Sequence, residues 1–193
     1  MAVVRDPEDK KERILSSALR LFTRQGFEGT PIPDLAKDAG IGAGTIYRYY
    51  KSKEELVNEL FRFWKNKLRE TLAEGFPEKA KAKERFLHLW KALAGFYDRY
   101  PDAFEFLELH YHSPYLDQES KNATAKTMEF ICMFLEQSRS KGEIRSDLGS
   151  MELVSLCYGG FVGMVKMSQG GYIKLTPETV HAAASTLWKA LEK

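Results

Sequence analysis

Apolar side chains return at every third or fourth position along almost the whole chain, and that spacing constrains its fold more than any other feature. Ile14, Leu15, Ala18, Leu19 and Phe22 form one stripe. Phe86, Leu89, Trp90, Leu93, Phe96, Tyr97 and Tyr100 form a second, and Val180, Ala183, Ala184, Leu187, Trp188 and Leu191 a third. On a helix such positions share one face, so each stripe predicts a helix with one buried side. Only "YIKL" at 172–175 alternates as a strand would, and only marginally. The expectation is an all-α protein.

Helix boundaries follow from capping chemistry. Asp6, Pro7 and Asp9 suit the start of a first helix that Gly26 ends. Thr30 suits the cap of a second, with Pro31 and Pro33 in its first turn and Gly40 closing it. Ser52 and Glu55 have the S-x-x-E spacing of a capping box and open a long helix running to about Glu74. After the loop "EGFPEKA", a helix from Lys83 is stopped by Pro101. A short aromatic helix, "DAFEFLELHYH", ends before Pro114, and the next runs from about Asp117 to Lys141 with Gly142 as its terminator. Ser150 and Thr176 are read as caps of the last two helices, which makes nine in all.

The 193 residues, 44% hydrophobic, suffice for one core and a small appended module. The longest apolar run, Leu153–Val165, is shorter than the roughly 20 residues that cross a bilayer and contains three glycines. No membrane partner is expected, and with no export leader in "MAVVRDPEDKKER" the location expected is cytoplasmic. Cys132 and Cys157 then read as small buried hydrophobes. Net charge is +2, but residues 1–53 carry ten Lys/Arg against seven Asp/Glu, so the positive excess sits at the N-terminal end.

That end also holds "AGIGAGTIYRYYKSKEEL" at 39–56. Two short helices joined by "AGIG" match a helix-turn-helix, whose second helix enters the major groove. Gly42, Ala43 and Gly44 let backbone approach phosphate. Thr45 and Arg48, three apart, share one face and offer a hydroxyl and a guanidinium to base edges. Ile46 and Tyr50 point the other way, toward the first helix. Tyr47 and Tyr49 flank the reading face as phosphate donors, with Lys53 and Thr30 as further phosphate contacts.

The segment "TPIPDLAKDAGIGAGTIYRYYKSKEEL", residues 30–56, resembles the DNA-binding segment of TetR-family transcriptional regulators. The likeness is close over roughly residues 10–60 and extends over the rest in length and helical layout. It implies a homodimer, a three-helix DNA-binding domain, and a divergent helical ligand-binding domain whose last two helices form the dimer interface. Two positions depart from the family's commonest pattern: Gly42 stands where a capping serine is frequent, and Ala43 where a basic residue or proline often sits. The domains expected are residues 1–52, a helix-turn-helix module, and 53–193, roughly six helices for ligand binding and dimerisation.

Within the second domain, Trp90, Phe106, His110, Phe130, Phe134, Tyr158 and Phe161 offer more aromatic surface than a small bundle needs, which suits a mainly apolar effector cavity. The stripe of the last helix and the small residues of "GGFVG" place the dimer interface at Gly160, Met164, Ala184, Leu187, Trp188 and Leu191, although packing within one chain would use the same residues. "GIGAG" lacks the preceding strand of a nucleotide loop. His110 and His112, two apart on a helix, point to nearly opposite sides and make no metal pair. No metal or other cofactor is expected. No acid, base or nucleophile arrangement suggests an enzyme. The reading is a regulator, most often a repressor in the resembled family, released from a palindromic double-stranded operator by a small hydrophobic effector. The rival is a helical ligand-binding enzyme or carrier with a vestigial helix-turn-helix.

Overall fold

A computed structural model describes residues 7–193. Among these residues nine helices follow in chain order: α1 (Pro7–Gln25), α2 (Ile32–Asp38), α3 (Ala43–Tyr49), α4 (Lys53–Ala73), α5 (Ala82–Arg99), α6 (Pro101–His110), α7 (Gln118–Ser140), α8 (Ser150–Gln169) and α9 (Pro177–Leu191). No strand occurs among the described residues, and residues 172–175 are loop. The expected Asp6 cap lies outside the described residues. None of the described helices is long and apolar enough to cross a membrane.

The chain divides into two compact units. One holds the described residues up to Lys67 together with Arg99–Thr124, and the other holds Leu68–Asp98 and Ala125–Lys193. In the first unit, Ile14, Ala18 and Phe22 are fully buried along α1, as their four-residue spacing requires. Burying each large apolar side chain of this kind stabilises by about 1.5–3 kcal/mol. Gly26, at φ +70°, turns the chain out of α1 in a conformation that glycine adopts without strain. The ring of Phe22 lies 6.5 Å from Phe106 and 6.2 Å from His110, so α6 closes over α1. The Thr23 hydroxyl donates to the Asp102 carbonyl across the same contact.

Polar side chains complete this unit. Asn58 on α4 is buried and donates to the Glu54 and Tyr115 carbonyls, each at 2.8 Å, and its Oδ1 accepts from Asp117 N and the Ser120 hydroxyl. Every polar atom of that amide side chain is thus used to hold the segment that joins α6 to α7. At the start of α4, Ser52 accepts from Glu55 N at 3.2 Å as the capping box predicts. The returning Glu55 carboxylate takes Lys51 N at 2.6 Å, one residue earlier than the usual partner.

The second unit is an aromatic core. Trp90 meets Phe161 edge-on at 5.7 Å, Phe86 lies 5.6 Å from Trp188, and Phe76 packs against Phe130 at 5.1 Å. One buried cation interrupts it: Arg85 donates to Gln137 and Ser138, lies 3.6 Å from a Glu143 oxygen, and covers the Phe134 ring. Thr176 caps α9 by accepting from Thr179 N, as expected. Ser150 does not cap α8. Gly149 is the N-cap, and the Ser150 hydroxyl instead donates to Glu136 at 2.6 Å.

Candidate nucleic-acid interface

The geometry of the first three helices is set from behind. Arg13 on α1 donates to the Ala39 carbonyl at 2.5 Å and the Gly40 carbonyl at 3.1 Å, fixing the end of α2. Gly40 sits at φ +64°, and a Cβ there would lie 2.6 Å from the Arg13 guanidinium, so both backbone angle and space call for glycine. The Ile41 N–H returns to the Ala36 carbonyl at 2.9 Å and closes the turn. Arg20 adds an ion pair to Asp38, whose carboxyl is held below its usual range by hydrogen bonds from Ser17 and Arg20.

α3 is then locked by one face alone. Ile46 is 1% exposed and Tyr50, its C-cap, 2%. The Tyr50 hydroxyl donates to Glu59, which also pairs with Lys11 at 2.8 Å, and burial pushes the phenol well above its ordinary range. The other face stays open. Gly42, Gly44, Tyr47 and Arg48 are exposed, Tyr47 at 56%, while Ala43, Thr45 and Tyr49 are half-buried. Nothing lies within 4 Å of where a Cβ of Gly42 or Gly44 would be. Arg48 makes no ion pair or side-chain hydrogen bond among the described residues.

Two expected phosphate contacts stand differently. Thr30 is fully buried, and its hydroxyl donates to the Gly26 carbonyl at 2.8 Å; Pro31, not Thr30, is the N-cap of α2. Its side chain has no surface for a phosphate. Lys53 donates to the Phe27 carbonyl at 2.7 Å and rests 4.2 Å above the Phe27 ring, so it ties α4 to the α1–α2 turn and keeps two N–H bonds for other acceptors. Lys37 and Lys51 are exposed on the same helix-turn-helix segment and went unremarked in the sequence. Their signal was one lysine on each side of the turn and α3.

The expected effector residues divide between the units. Phe106 and His110 belong to the first, where both are buried and the His110 Nδ1 is hydrogen-bonded to the Tyr115 hydroxyl. Burial holds His110 below its ordinary pKa. Trp90, Phe130, Phe134, Tyr158 and Phe161 belong to the second.

The expected interface residues divide as well. Ala184, Trp188 and Leu191 are buried inside their own unit, which leaves them no surface to share; the Trp188 indole donates to Glu192. A Cβ at Gly160 would meet Leu187 at 3.3 Å, so that glycine admits α9 of the same chain. Gly160, Met164 and Leu187 are half-buried, and Leu156, Gly159, Gly163 and Met167 form the exposed face of α8. No group of three or more His, Cys, Asp or Glu placed to hold a metal ion occurs among the described residues.

Residues 14–60 match the family described as "Bacterial regulatory proteins, tetR family", and residues 61–193 match "Tetracyclin repressor-like, C-terminal domain". A HTH-type transcriptional regulator of Haemophilus influenzae is 25% identical over 185 residues, spanning 96% of this chain and 97% of that protein. The fatty acid metabolism regulator protein of Bacillus subtilis is 34% identical over 76 residues, 39% of each chain. The crystal structure of a TetR family transcription regulator from Marinobacter aquaeolei VT8 has the same fold, with a TM-score of 0.86 at 21% identity over 96% of this chain and 97% of that one. With matches to both its N-terminal and C-terminal parts, this chain belongs to the TetR family of bacterial transcriptional regulators.

Proposed function

We propose that the protein is a cytoplasmic, homodimeric repressor that binds a palindromic operator and releases it when a small, mainly hydrophobic effector binds. The observation that carries the reading is the division of α3: Ile46 and Tyr50 are buried while Tyr47 and Arg48 project from an exposed face with small residues at its mouth. Arg48 and Thr45 read base edges; Tyr47, Tyr49, Lys37, Lys51 and the free N–H bonds of Lys53 anchor phosphates, and Gly42, Ala43 and Gly44 let the backbone approach. In this proposal residues 1–52 carry the reading head, and 53–193 carry effector binding and dimerisation. The dimer forms through the exposed Leu156–Gly159–Gly163–Met167 face of α8, with Met164 and Leu187 at its margin. Supporting the effector reading are the aromatic core of the second unit and the Bacillus subtilis relative named for fatty acid metabolism.

Relatives named as transcriptional regulators favour this over an enzyme or carrier with a vestigial helix-turn-helix. Selection of bound fragments from a random DNA pool by the purified protein tests it. Recovery of a two-fold symmetric site supports the proposal, and recovery of no common sequence overturns it.

A further inference from the structure

The first unit nearly buries one cation that no hydrogen bond or ion pair holds. Lys65 on α4 is 3% exposed. Its Nζ takes part in no hydrogen bond or ion pair among the described residues. It lies instead 4.9 Å over the ring of Tyr111 and 5.6 Å over that of Phe61, one turn earlier on α4. Ring faces attract an ammonium far less than a carboxylate in contact does. A buried ammonium without hydrogen-bonded acceptors is costly, and chains seldom retain one without use.

The ring that covers Lys65 also borders open space. Tyr111, with His112, Ser113, Lys121 and Thr124, lines a cleft of about 340 Å³. Tyr111 is half-buried and meets both Lys65 and the cleft. We propose that α4 and α6 hold a recognition site for an organic carboxylate with an apolar body, with Lys65 as its counter-cation and the cleft beside Tyr111 as its entrance. A single monoanion fits better than a phosphate, because one ammonium and two ring faces leave a dianion short of donors. Phe61 and Phe106, 6.4 Å apart, supply apolar wall for the body.

The charges around Lys65 are Glu108 on α6, whose attraction is smaller than the cost of burial, and the phenol of Tyr111; His110 stands on the same helix, and His112 and Lys121 line the cleft. Burial brings the Lys65 pKa down to about 8. At neutral pH the ammonium still dominates, and a bound carboxylate would hold its proton in place. Affinity for the anion is then constant below that pKa and falls about tenfold per pH unit above it.

The site deepens the effector reading and rests on it only for its consequence on DNA. Calorimetry of the full chain with decanoate and 4-phenylbutyrate, each against its neutral amide, tests the site itself. We expect the acids to bind at least about tenfold tighter than the amides at pH 7, with the preference lost above pH 9. Lys65→Met and Lys65→Gln, each checked for folding by circular dichroism, should bind acid and amide alike. Lys126→Gln, on an exposed position outside the cleft, should keep the preference. Acid and amide binding equally to the native chain, failure of both to bind, or a preference that survives in a folded Lys65 variant would each overturn the proposal. The native chain's acid preference and pH profile need no variant. Operator titration with decanoate present addresses the other reading. Acids that bind through Lys65 and leave operator affinity unchanged leave the site standing and defeat the effector mechanism.

Discussion

The two units combine ring packing and buried polar side chains in different proportion, with more of the polar ones in the first. In the first, polar side chains grip backbone: Arg13 holds the Ala39 and Gly40 carbonyls, Lys53 the Phe27 carbonyl, and Asn58 the Glu54 and Tyr115 carbonyls. Such bonds fix positions to a fraction of an ångström because a backbone group has nowhere else to go. In the second, rings meet rings, Trp90 on Phe161 and Phe86 on Trp188, beside the buried Arg85 and the bonds of Arg139 and Arg145 to the Leu148 and Ala190 carbonyls. Ring packing tolerates substitution of similar volume. Under the proposed function the difference suits a first unit that must present its reading helix in fixed geometry, and a second unit whose interior can change composition while keeping its helices.

Substitutions can break or sharpen that contrast. The largest loss is expected at Phe161→Ala, which empties the middle of the second unit and should cost about 3–5 kcal/mol of stability in a urea titration. Phe161→Leu should recover most of it, and a loss as large as that of alanine would show that the second unit is as exacting as the first. Asn58→Ala comes next. It strands buried donors and acceptors and should cost about 2–3 kcal/mol. Here Asn58→Leu should rescue nothing, since volume is not what the amide supplies. Rescue by leucine would erase the distinction between the units.

A smaller effect, in DNA affinity and not in folding, is expected at the reading face. Arg48→Ala should cost about 1–3 kcal/mol of operator affinity and relax sequence preference at one base pair per half-site. Lys51→Ala should weaken all sequences alike and flatten the salt dependence. Fluorescence anisotropy against operator and scrambled duplexes at several salt concentrations separates the two. Identical sequence profiles for both variants would mean that base reading lies elsewhere.

The sequence carried the helices well because their signals are local. A stripe at 3.6-residue spacing, the Ser52–Glu55 box and the Thr176 cap each act within one or two turns, and Ile46 and Tyr50 face inward as their spacing requires. What it concealed was long-range partnership. Lys53 looks like any exposed lysine at a helix start, and its bond to a carbonyl 26 residues away has no local trace. A buried threonine reads like a solvent-facing cap until Gly26 is seen beneath it. The last helix shows a third kind of limit. Its apolar stripe announces burial without saying against what, and Ala184, Trp188 and Leu191 turn out to be covered by their own chain. Lys65 was invisible for the same reason: nothing in its neighbours along α4 says that Tyr111 lies above it.

The one-sided anchoring of α3 has a consequence for inheritance. Only Ile46 within the helix is fully buried, and the turn before it is clamped by Arg13 from another helix. The exposed positions 44, 47 and 48 can therefore be rewritten without consulting the scaffold, and under the proposed function each new set spells a new address on DNA. A gene duplicate would need a handful of codon changes to acquire a different target while keeping its sensor. A designer could draw the same benefit from a library restricted to those three codons.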